Sequence, residues 1–490
     1  MSSTSRRVII SCAIISIVTI VCVGLIGLAG IGIFTLYPPT AAEQVITEEP
    51  SQLNPDKPEP VTQNPDLLPA VPSQDQDPET QSTSPEPTPE PSLPTEVISQ
   101  MNTIQAQVVD LRGLQPLEDV DLNLLSPEQL RQQVMTDFLE DYTTEDARLD
   151  ALILAAFGLL DPQYNLYELY IELYSEQIIG YYDTDTKGMY VIQGASFSAP
   201  ERLTYAHEFT HALQDQHYQI EEGLRYEQEY CETNTEYCAA VLALLEGDAS
   251  LLELQWLYEY ASSQDIQEIQ EYYTGYESPV FESAPSFLQE DFLFPYYYGH
   301  IFVESIHQTG GWSAVDQVYA HPPVSTEQIL HPERYPDVTP LPVELPDLLP
   351  FLQGNWQELD RNVLGEWYTY LLLAEPENEN ARIDPEDAQQ AADGWAGDAY
   401  LIYHQEETNQ IILILKTVWK NEAEARQFSE AFLGYAGARF ETIAASGSEF
   451  WSWENDQEYS DFSLNGNATT WILAPNADLA DLIREKLGAD

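Results

Sequence analysis

An uncharged stretch near the N-terminus sets the strongest limit on how this chain can fold. It runs from Val8 to Tyr37, directly after Arg6 and Arg7. A helix of about 20 apolar residues crosses a bilayer, whereas the apolar core of a cleavable signal peptide has about 7–15 residues. Because the positive charges precede the run, the positive-inside rule leaves the following chain outside the cytoplasm. Residues 1–37 are therefore predicted to be a cytoplasmic stub and a single transmembrane anchor, with a cleaved signal as the alternative.

The next segment, residues 38–97, is rich in Pro, Glu, Ser and Thr, as in Ser84-Pro85-Glu86-Pro87-Thr88-Pro89. Such a composition provides too few apolar side chains to build a core. Its acidic residues repel one another, and its prolines favour extended backbone. We expect a disordered stalk that separates the anchor from the folded part of the chain.

The charge balance is strongly acidic, with 82 Asp and Glu residues against 18 Lys and Arg residues and a net charge of −64. A field of this sign repels phosphate backbones and anionic lipid headgroups. Nucleic acid is therefore excluded as a partner. The same charge is compatible with a solvated acidic surface or with attraction of cationic peptides.

Helical periodicity dominates after the stalk. Ser126–Gln129 has the pattern of a capping box with proline at the first helical position. Two β-rich runs around the turn Asp183–Gly188 predict a hairpin, although the turn also has the first two acidic positions of a calcium loop. Helices are then predicted from Ser198 to His217 and from Cys238 to Tyr260.

The pattern changes near the C-terminus to strands, a helix, further strands and a last helix. The sequence thus predicts an α+β fold: a mainly helical domain with a small β-sheet at residues 98–350, and a small α+β domain at residues 396–490. Residues 351–395 are expected to be a connecting helical segment.

The motif His-Glu-x-x-His occurs within the predicted helix, as His207, Glu208 and His211. Residues four apart lie on one helical face, so both imidazoles can bind one Zn²⁺. Glu208 then lies beside the metal, where it can take a proton from zinc-bound water and pass it to a leaving amine. The pattern predicts zinc-assisted hydrolysis.

A catalytic zinc site needs a third protein ligand. Glu246 is the best candidate, because it is an acid within the apolar run of the next helix, where an unpaired carboxylate would be costly. Glu253 lies two turns further along a similar face and is a competing ligand. Asp248 is a second competitor, or it could hydrogen-bond a ligand histidine.

The segment from His207 to His217, followed by Glu246-Gly247-Asp248-Ala249 on the next helix, resembles the gluzincin branch of zinc metallopeptidases. The resemblance spans residues 178–335, including a Tyr-Gly and Phe-Val helix at residues 297–303 that is similar to peptidase-MA-like members. It implies a zincin-like fold, Glu246 as third ligand, and a hairpin edge that binds extended substrate. Gluzincins usually have an Asp four residues after that Glu, and this chain has Ser250 there.

Many such peptidases also use a Tyr or His to stabilise the oxyanion. His331 is the leading candidate for this catalytic role, ahead of Tyr298, His300 and Tyr335. Asp215 lies one turn beyond His211. It is a candidate for holding the ligand residues in place without binding the metal itself.

Cys231 and Cys238 are a candidate disulfide if the chain faces an oxidising space. In a straight helix their Cα atoms would be about 10 Å apart, which is too far to bridge. A bond between them therefore requires a loop between two helices.

These observations together predict a membrane-anchored zinc peptidase whose catalytic domain acts on extracytoplasmic proteins or peptides. Two alternatives remain at this stage. One is a binding protein that keeps the fold without turnover, against which the intact Glu208 argues. The other is a zinc hydrolase of a non-peptide bond, since the same activated water attacks other carbonyls.

Overall fold

The computed structural model describes residues 94–133, 136, 142–178, 180–192, 197–440, 443–455 and 458–488. All of these residues belong to one compact unit. The predicted anchor and nearly all of the predicted stalk lie outside the described residues. Within the described ranges, no helix combines the length and the apolar character needed to cross a membrane.

The first part of the described chain is mainly helical. Its helices are α1 (Thr95–Arg112), α2 (Pro127–Gln133), α3 (Thr144–Phe157), α4 (Leu166–Gln177), α5 (Ala199–Tyr218), α6 (Gln228–Cys231), α7 (Thr235–Tyr260), α8 (Ser263–Gly275), α9 (Pro279–Ser283), α10 (Ser286–Gly310), α11 (Trp312–Ala320) and α12 (Thr326–Leu330). Helix α1 begins inside residues assigned to the stalk, because Met101, Ile104 and Val108 recur at helical spacing and are buried.

A three-stranded sheet accompanies these helices, with strands β1 (Asp121–Leu125), β2 (Gly180–Asp183) and β3 (Gly188–Ile192). Strands β2 and β3 form the predicted antiparallel hairpin, and β1 pairs in parallel with β3. The order β1-β3-β2 places β2 at one edge, where it packs against α5.

Helix α5 begins at a capping box. Ser198 is the N-cap, Glu201 accepts a hydrogen bond from the Ser198 amide at 2.8 Å, and Pro200 occupies the first turn. The helix ends where Gln219 adopts a left-handed conformation with φ of 53°. These local signals agree with the helix predicted from the sequence.

Helices α7 and α10 cross at very short range. A Cβ atom on Gly247 would overlap the backbone carbonyl of Gly299, and one on Gly299 would overlap the carbonyl of Ala243. Only glycine permits this approach of two backbones. The crossing fixes the turn of α7 that carries Glu246.

The second part of the described chain is built on a seven-stranded antiparallel sheet of order β4-β5-β6-β10-β9-β8-β7. Its elements are β4 (Gln357–Asn362), α13 (Gly365–Ala374), α14 (Pro385–Ala392), β5 (Trp395–Gln405), β6 (Gln410–Trp419), α15 (Glu422–Phe440), β7 (Ile443–Ser446), β8 (Phe450–Glu454), β9 (Tyr459–Asn465), β10 (Ala468–Ala474) and α16 (Ala477–Leu487). The chain is therefore α+β, as the sequence predicts.

Strand β4 corrects one expectation. It lies in the segment 351–395, which we expected to be a helical connection, and it pairs with β5 at the edge of the large sheet. Its sequence, Gln-Glu-Leu-Asp-Arg-Asn, is polar because an edge strand is partly solvated, so it lacks the apolar alternation by which a strand is recognised.

The two faces of the sheet belong to different cores. On one face, Phe432 of α15 stacks on Phe462 at 4.5 Å and meets Trp471 at 5.2 Å between ring centroids. The other face packs against α16 through the alternate strand residues, such as Leu401 and Ile472. The first core continues into the helical part of the molecule, where Phe157 of α3 contacts Tyr400 and Trp471 of the sheet.

The domain boundaries that the sequence predicts after residues 350 and 395 stay a prediction.

Candidate metal centre

Two helices bring the predicted ligands together. Helix α5 presents His207 and His211 on one face, and α7 presents Glu246 opposite them. Oε2 of Glu246 lies 3.1 Å from Nε2 of His207 and 3.5 Å from Nε2 of His211. One donor atom from each of the three residues lies within 4.8 Å of the others. The spacing seen in the sequence therefore corresponds to three ligand atoms around one point.

The donor atoms are buried and incompletely satisfied. His207, His211 and Glu246 are between 1% and 2% exposed. Nε2 of His211 and Oε1 of Glu246 have no hydrogen-bond partner. Buried polar atoms normally have a partner, so two unpartnered atoms at a shared point are compatible with a site that binds a cation. A histidine, histidine and carboxylate set is one that Zn²⁺ accepts at catalytic sites.

The surrounding charge also favours a cation. Glu208, Glu246 and Glu253 are all buried near His207. Among the described residues, only histidines form ion pairs with these three carboxylates, and no Lys or Arg does. Burial alone would raise the pKa of Glu246, but the neighbouring histidines outweigh it and hold that pKa below its ordinary value. A metal ion would stabilise the ionised forms of carboxylates that are buried this close together.

Each histidine is oriented through its other ring nitrogen. Nδ1 of His207 lies 3.2 Å from Oε2 of Glu253, and Nδ1 of His211 lies 2.8 Å from Oε1 of Gln214. A histidine that binds metal through Nε2 carries its proton on Nδ1 and donates it to such an acceptor. Glu253, which the sequence offered as a competing ligand, thus faces the opposite side of His207 from Glu246.

Gln214 was missed by the sequence reasoning. It lies three residues after His211, on the same face of α5, and its side-chain amide donates to the carbonyl of Leu245 at 2.9 Å. The spacing of three was available as a signal, because residues three apart on a helix are neighbours. Gln214 therefore connects a ligand histidine to the helix that carries Glu246.

Glu208 is buried and held by the hairpin. Its Oε2 accepts a hydrogen bond of 3.2 Å from the backbone amide of Tyr182 in β2. Burial raises the pKa of Glu208 well above its ordinary value, and the carboxylate of Glu246 adds to the rise. A buried carboxyl group with a strongly shifted pKa beside candidate metal ligands is a candidate for proton transfer.

Asp215 lies at the end of the site, further along α5. Its Oδ2 accepts a hydrogen bond of 2.8 Å from the hydroxyl of Tyr182 and lies 2.8 Å from Nζ of Lys187. Burial, together with this carboxylate, raises the pKa of the Tyr182 hydroxyl, which stays a donor. The structure thus connects Asp215 to the hairpin rather than directly to a ligand histidine.

Asp248 takes a different role from the one expected. Its two carboxylate oxygens accept hydrogen bonds from Nε and Nη2 of Arg112 at 2.9 and 3.0 Å, and from the hydroxyl of Tyr319 at 2.7 Å. The expectation that Asp248 contacts a ligand histidine is therefore corrected. The reason is helical phase, because a residue two positions after Glu246 points away from it. Arg112 ends α1, so the ion pair joins α1 to α7.

His331 is also placed elsewhere. Its Nε2 lies 2.7 Å from Glu366 and 3.3 Å from Asp393, in a cluster of charged residues that includes Arg334. The structure thus brings His331 to carboxylates of the sheet region rather than to the metal ligands. The expected catalytic role is corrected, because the residues after α12 turn toward α13.

The remaining candidates for oxyanion stabilisation have other neighbours. The ring of Tyr298 packs on Trp367, Nε2 of His300 lies 3.8 Å from Glu304, and the hydroxyl of Tyr335 donates to the carbonyl of His321 at 2.6 Å. An aromatic residue that the sequence did not single out, Tyr296 of α10, has its ring centroid 6.5 Å from that of His207.

Cys231 and Cys238 are joined by a disulfide, with their Cα atoms 5.6 Å apart. Cys231 ends α6 and Cys238 lies in the first turns of α7, so the bond spans the short loop between two helices. This is the geometry that the spacing of the two residues requires. The bond closes the start of the helix that carries Glu246.

Comparison with known proteins gives a match, which lies in the C-terminal part of the chain. A family model described as "Domain of unknown function (DUF8575)" matches residues 352–484. This range begins just before β4 and ends within α16, so it covers the seven-stranded sheet and leaves out the three candidate metal ligands and Glu208. No curated protein matches the chain, and neither does any solved structure.

Proposed function

We propose that this chain is a zinc-dependent peptidase with a zincin-like helical region, in which His207, His211 and Glu246 bind the metal. The observation that carries the proposal is the convergence of these three side chains, from two helices, on one buried point beside Glu208. The orphaned atoms of His211 and Glu246 support a metal at that point. Zinc bound there would act as a Lewis acid and lower the pKa of a water molecule that it binds.

Glu208 is the residue that would move protons. The amide of Tyr182 holds Oε2, and no hydrogen bond from a described residue reaches Oε1, so Oε1 would be available to a reacting water. Glu208 would accept a proton from that water as its oxygen attacks the peptide carbonyl carbon. It would then give the proton to the departing amine as the C–N bond breaks.

Other residues would keep the ligands in place. Glu253 and Gln214 accept from the outer nitrogens of His207 and His211 and so fix the orientation of both rings. The substrates would be extracytoplasmic proteins or peptides, and a membrane anchor would hold the enzyme at the cell surface. The acidic balance of the chain argues against nucleic acid as a partner.

The test compares the zinc-loaded full-length chain with a Glu208→Gln variant on a library of peptides. We expect the parent to cleave and the variant to lose at least about a hundredfold in kcat while keeping its zinc, because the proton acceptor is gone. Glu222→Gln, the same change at an exposed position beyond α5, is the matched control and should cleave like the parent.

Failure to cleave by a parent that holds one zinc ion would remove the peptidase proposal. Hydrolysis of ester or amide compounds other than peptides would then indicate a different zinc hydrolase. Tight zinc binding without any hydrolysis would indicate a binding protein.

A further inference from the structure

Tyr182 contacts helix α5 at two separate points. Its backbone amide donates to Glu208 at 3.2 Å, and its hydroxyl donates to Asp215 at 2.8 Å. Tyr182 is 1% exposed and Asp215 is 5% exposed, so both contacts are sealed from solvent. A single residue of the hairpin thus connects both ends of the catalytic face of α5.

The spacing of the two acceptors makes this double contact restrictive. Glu208 and Asp215 are seven residues apart, which is two helical turns, so they lie on one face and about 10 Å apart along the axis. The backbone end and the hydroxyl end of one tyrosine reach them together. Two anchoring points at this distance prevent β2 from sliding or tilting along α5, whereas one point would allow both.

We propose that the hydrogen bond between Tyr182 and Asp215 is a positioning contact for hydrolysis, which holds β2 so that the Tyr182 amide fixes the carboxylate of Glu208. This inference rests on the peptidase function proposed above. Tyr182 and Asp215 do not touch the reacting atoms. They act through Glu208, because a carboxylate with one oxygen held presents the other in a defined direction.

Lys187 adds a second link between the hairpin and the same carboxylate. It lies in the turn between β2 and β3, with φ of 55°, and its Nζ is 2.8 Å from Oδ2 of Asp215. The lysine side chain is 48% exposed, so solvent screens this ion pair. The buried tyrosine hydroxyl is therefore the stronger of the two contacts.

The experiment uses the zinc-loaded full-length chain, three single variants and the double variant Tyr182→Phe/Asp215→Ala. Tyr182→Phe removes the hydroxyl but keeps the backbone amide, and Asp215→Ala removes its acceptor. Tyr205→Phe is the matched control, because Tyr205 is a buried tyrosine of the same apolar cluster whose hydroxyl is bonded to Gln105 of α1 instead. Four quantities are measured: kcat, KM, bound zinc, and hydrogen exchange of the amides in residues 180–183.

For Tyr182→Phe and Asp215→Ala, we expect kcat to fall by roughly ten- to a hundredfold with KM within about twofold, because the base is misplaced while substrate still binds. Bound zinc should be unchanged, and the amides of residues 180–183 should exchange about tenfold faster. The double variant should be no slower than Asp215→Ala alone, since Tyr182→Phe removes a hydrogen bond that Asp215→Ala has already broken. Tyr205→Phe should match the parent.

An unchanged kcat in Tyr182→Phe overturns the inference, and so does an equal loss in Tyr205→Phe, which would indicate general destabilisation. Should the parent cleave no peptide, the proposed function fails while the contact remains measurable. Faster exchange at residues 180–183 in Asp215→Ala would then support the double anchoring of β2. Unchanged exchange would overturn it.

Discussion

The imidazole of His207 lies between two carboxylates of one helix, Glu246 on its Nε2 side and Glu253 on its Nδ1 side. These acids are seven residues apart on α7 and so lie on one face, two turns from each other. In the proposed function Glu246 binds the metal, and Glu253 orients the ring and raises its basicity. Because the two carboxylates contact different nitrogens of one ring, their roles can be separated by mutation.

We predict that Glu253→Gln lowers zinc affinity by about tenfold, because the amide can still accept from Nδ1 but no longer polarises the ring with a full negative charge. Isothermal titration of the metal-free chain with zinc would measure this. Glu259→Gln, on the exposed end of the same helix, is the control and should bind like the parent. Equal affinities for the Glu253 variant and the parent would contradict the role of Glu253.

For individual residues, the sequence predicts best those contacts that follow from helical spacing. His207, Glu208 and His211 are predicted by a spacing of four, and Glu246 by the cost of an acid in an apolar run. The partners of Asp248 are not predicted, because Arg112 is far from it along the chain and only the fold brings them together. The neighbours of His331 are hidden for the same reason.

Among the elements, the crossing of α7 and α10 positions the proposed metal ligands most directly. Gly247 follows Glu246 immediately, and it meets Gly299 with no room for a side chain on either. Any separation of these helices therefore moves Glu246 relative to the histidines of α5. The close packing of Gly247 on Gly299 therefore determines the position of Glu246.

We predict that Gly299→Ala lowers the free energy of unfolding by about 1–3 kcal/mol, because the added methyl group overpacks the crossing. Zinc affinity should fall as well, since α7 must shift. Denaturant unfolding and zinc titration would measure the two effects. The control is Gly275→Ala at the end of α8, where a Cβ meets nothing within 4 Å. A variant at Gly299 as stable as the parent would show that the helices can separate freely.

Two strands are among the elements that the sequence did not predict. β1 has the sequence Asp-Leu-Asn-Leu-Leu, and its partner β3 lies more than sixty residues away in parallel register. β4 is polar and sits at a sheet edge. Both strands depend on long-range pairing, and tertiary context rather than local propensity determines whether such segments become strands.

Across the whole molecule, the helical region and the sheet region meet at buried acids. Glu236 of α7 is one of them, and its Oε1 accepts hydrogen bonds from the amide and hydroxyl of Thr326 at 2.6 and 2.8 Å. Burial raises the pKa of Glu236 to about 8 despite these bonds, and the carboxylates of Asp398 and Glu366 add to the rise. The group is therefore protonated in the folded chain at neutral pH.

This pKa predicts how stability depends on pH. The folded pKa of about 8 lies above the ordinary value of 4.5, so folding binds a proton between these two pH values. The contribution of Glu236 to stability is therefore fully present below pH 4.5 and is lost as the pH rises toward 8. Between pH 5 and pH 8, the free energy of unfolding of Glu236→Gln should rise relative to that of the parent by about 3–4 kcal/mol. Denaturant unfolding of both proteins at the two pH values measures the difference, and an equal difference at both would refute the prediction.

The apolar core shared by the two regions has an evolutionary consequence. Phe157 of the helical region is packed against Tyr400 and Trp471, and both of these residues lie inside the range 352–484 that the family model matches. A substitution on either side of this contact changes the volume that the other side must fill. The sheet region of this chain therefore cannot diverge, or be exchanged for that of another protein, without compensating changes at α3. In lineages that keep both regions, position 157 and positions 400 and 471 should vary together.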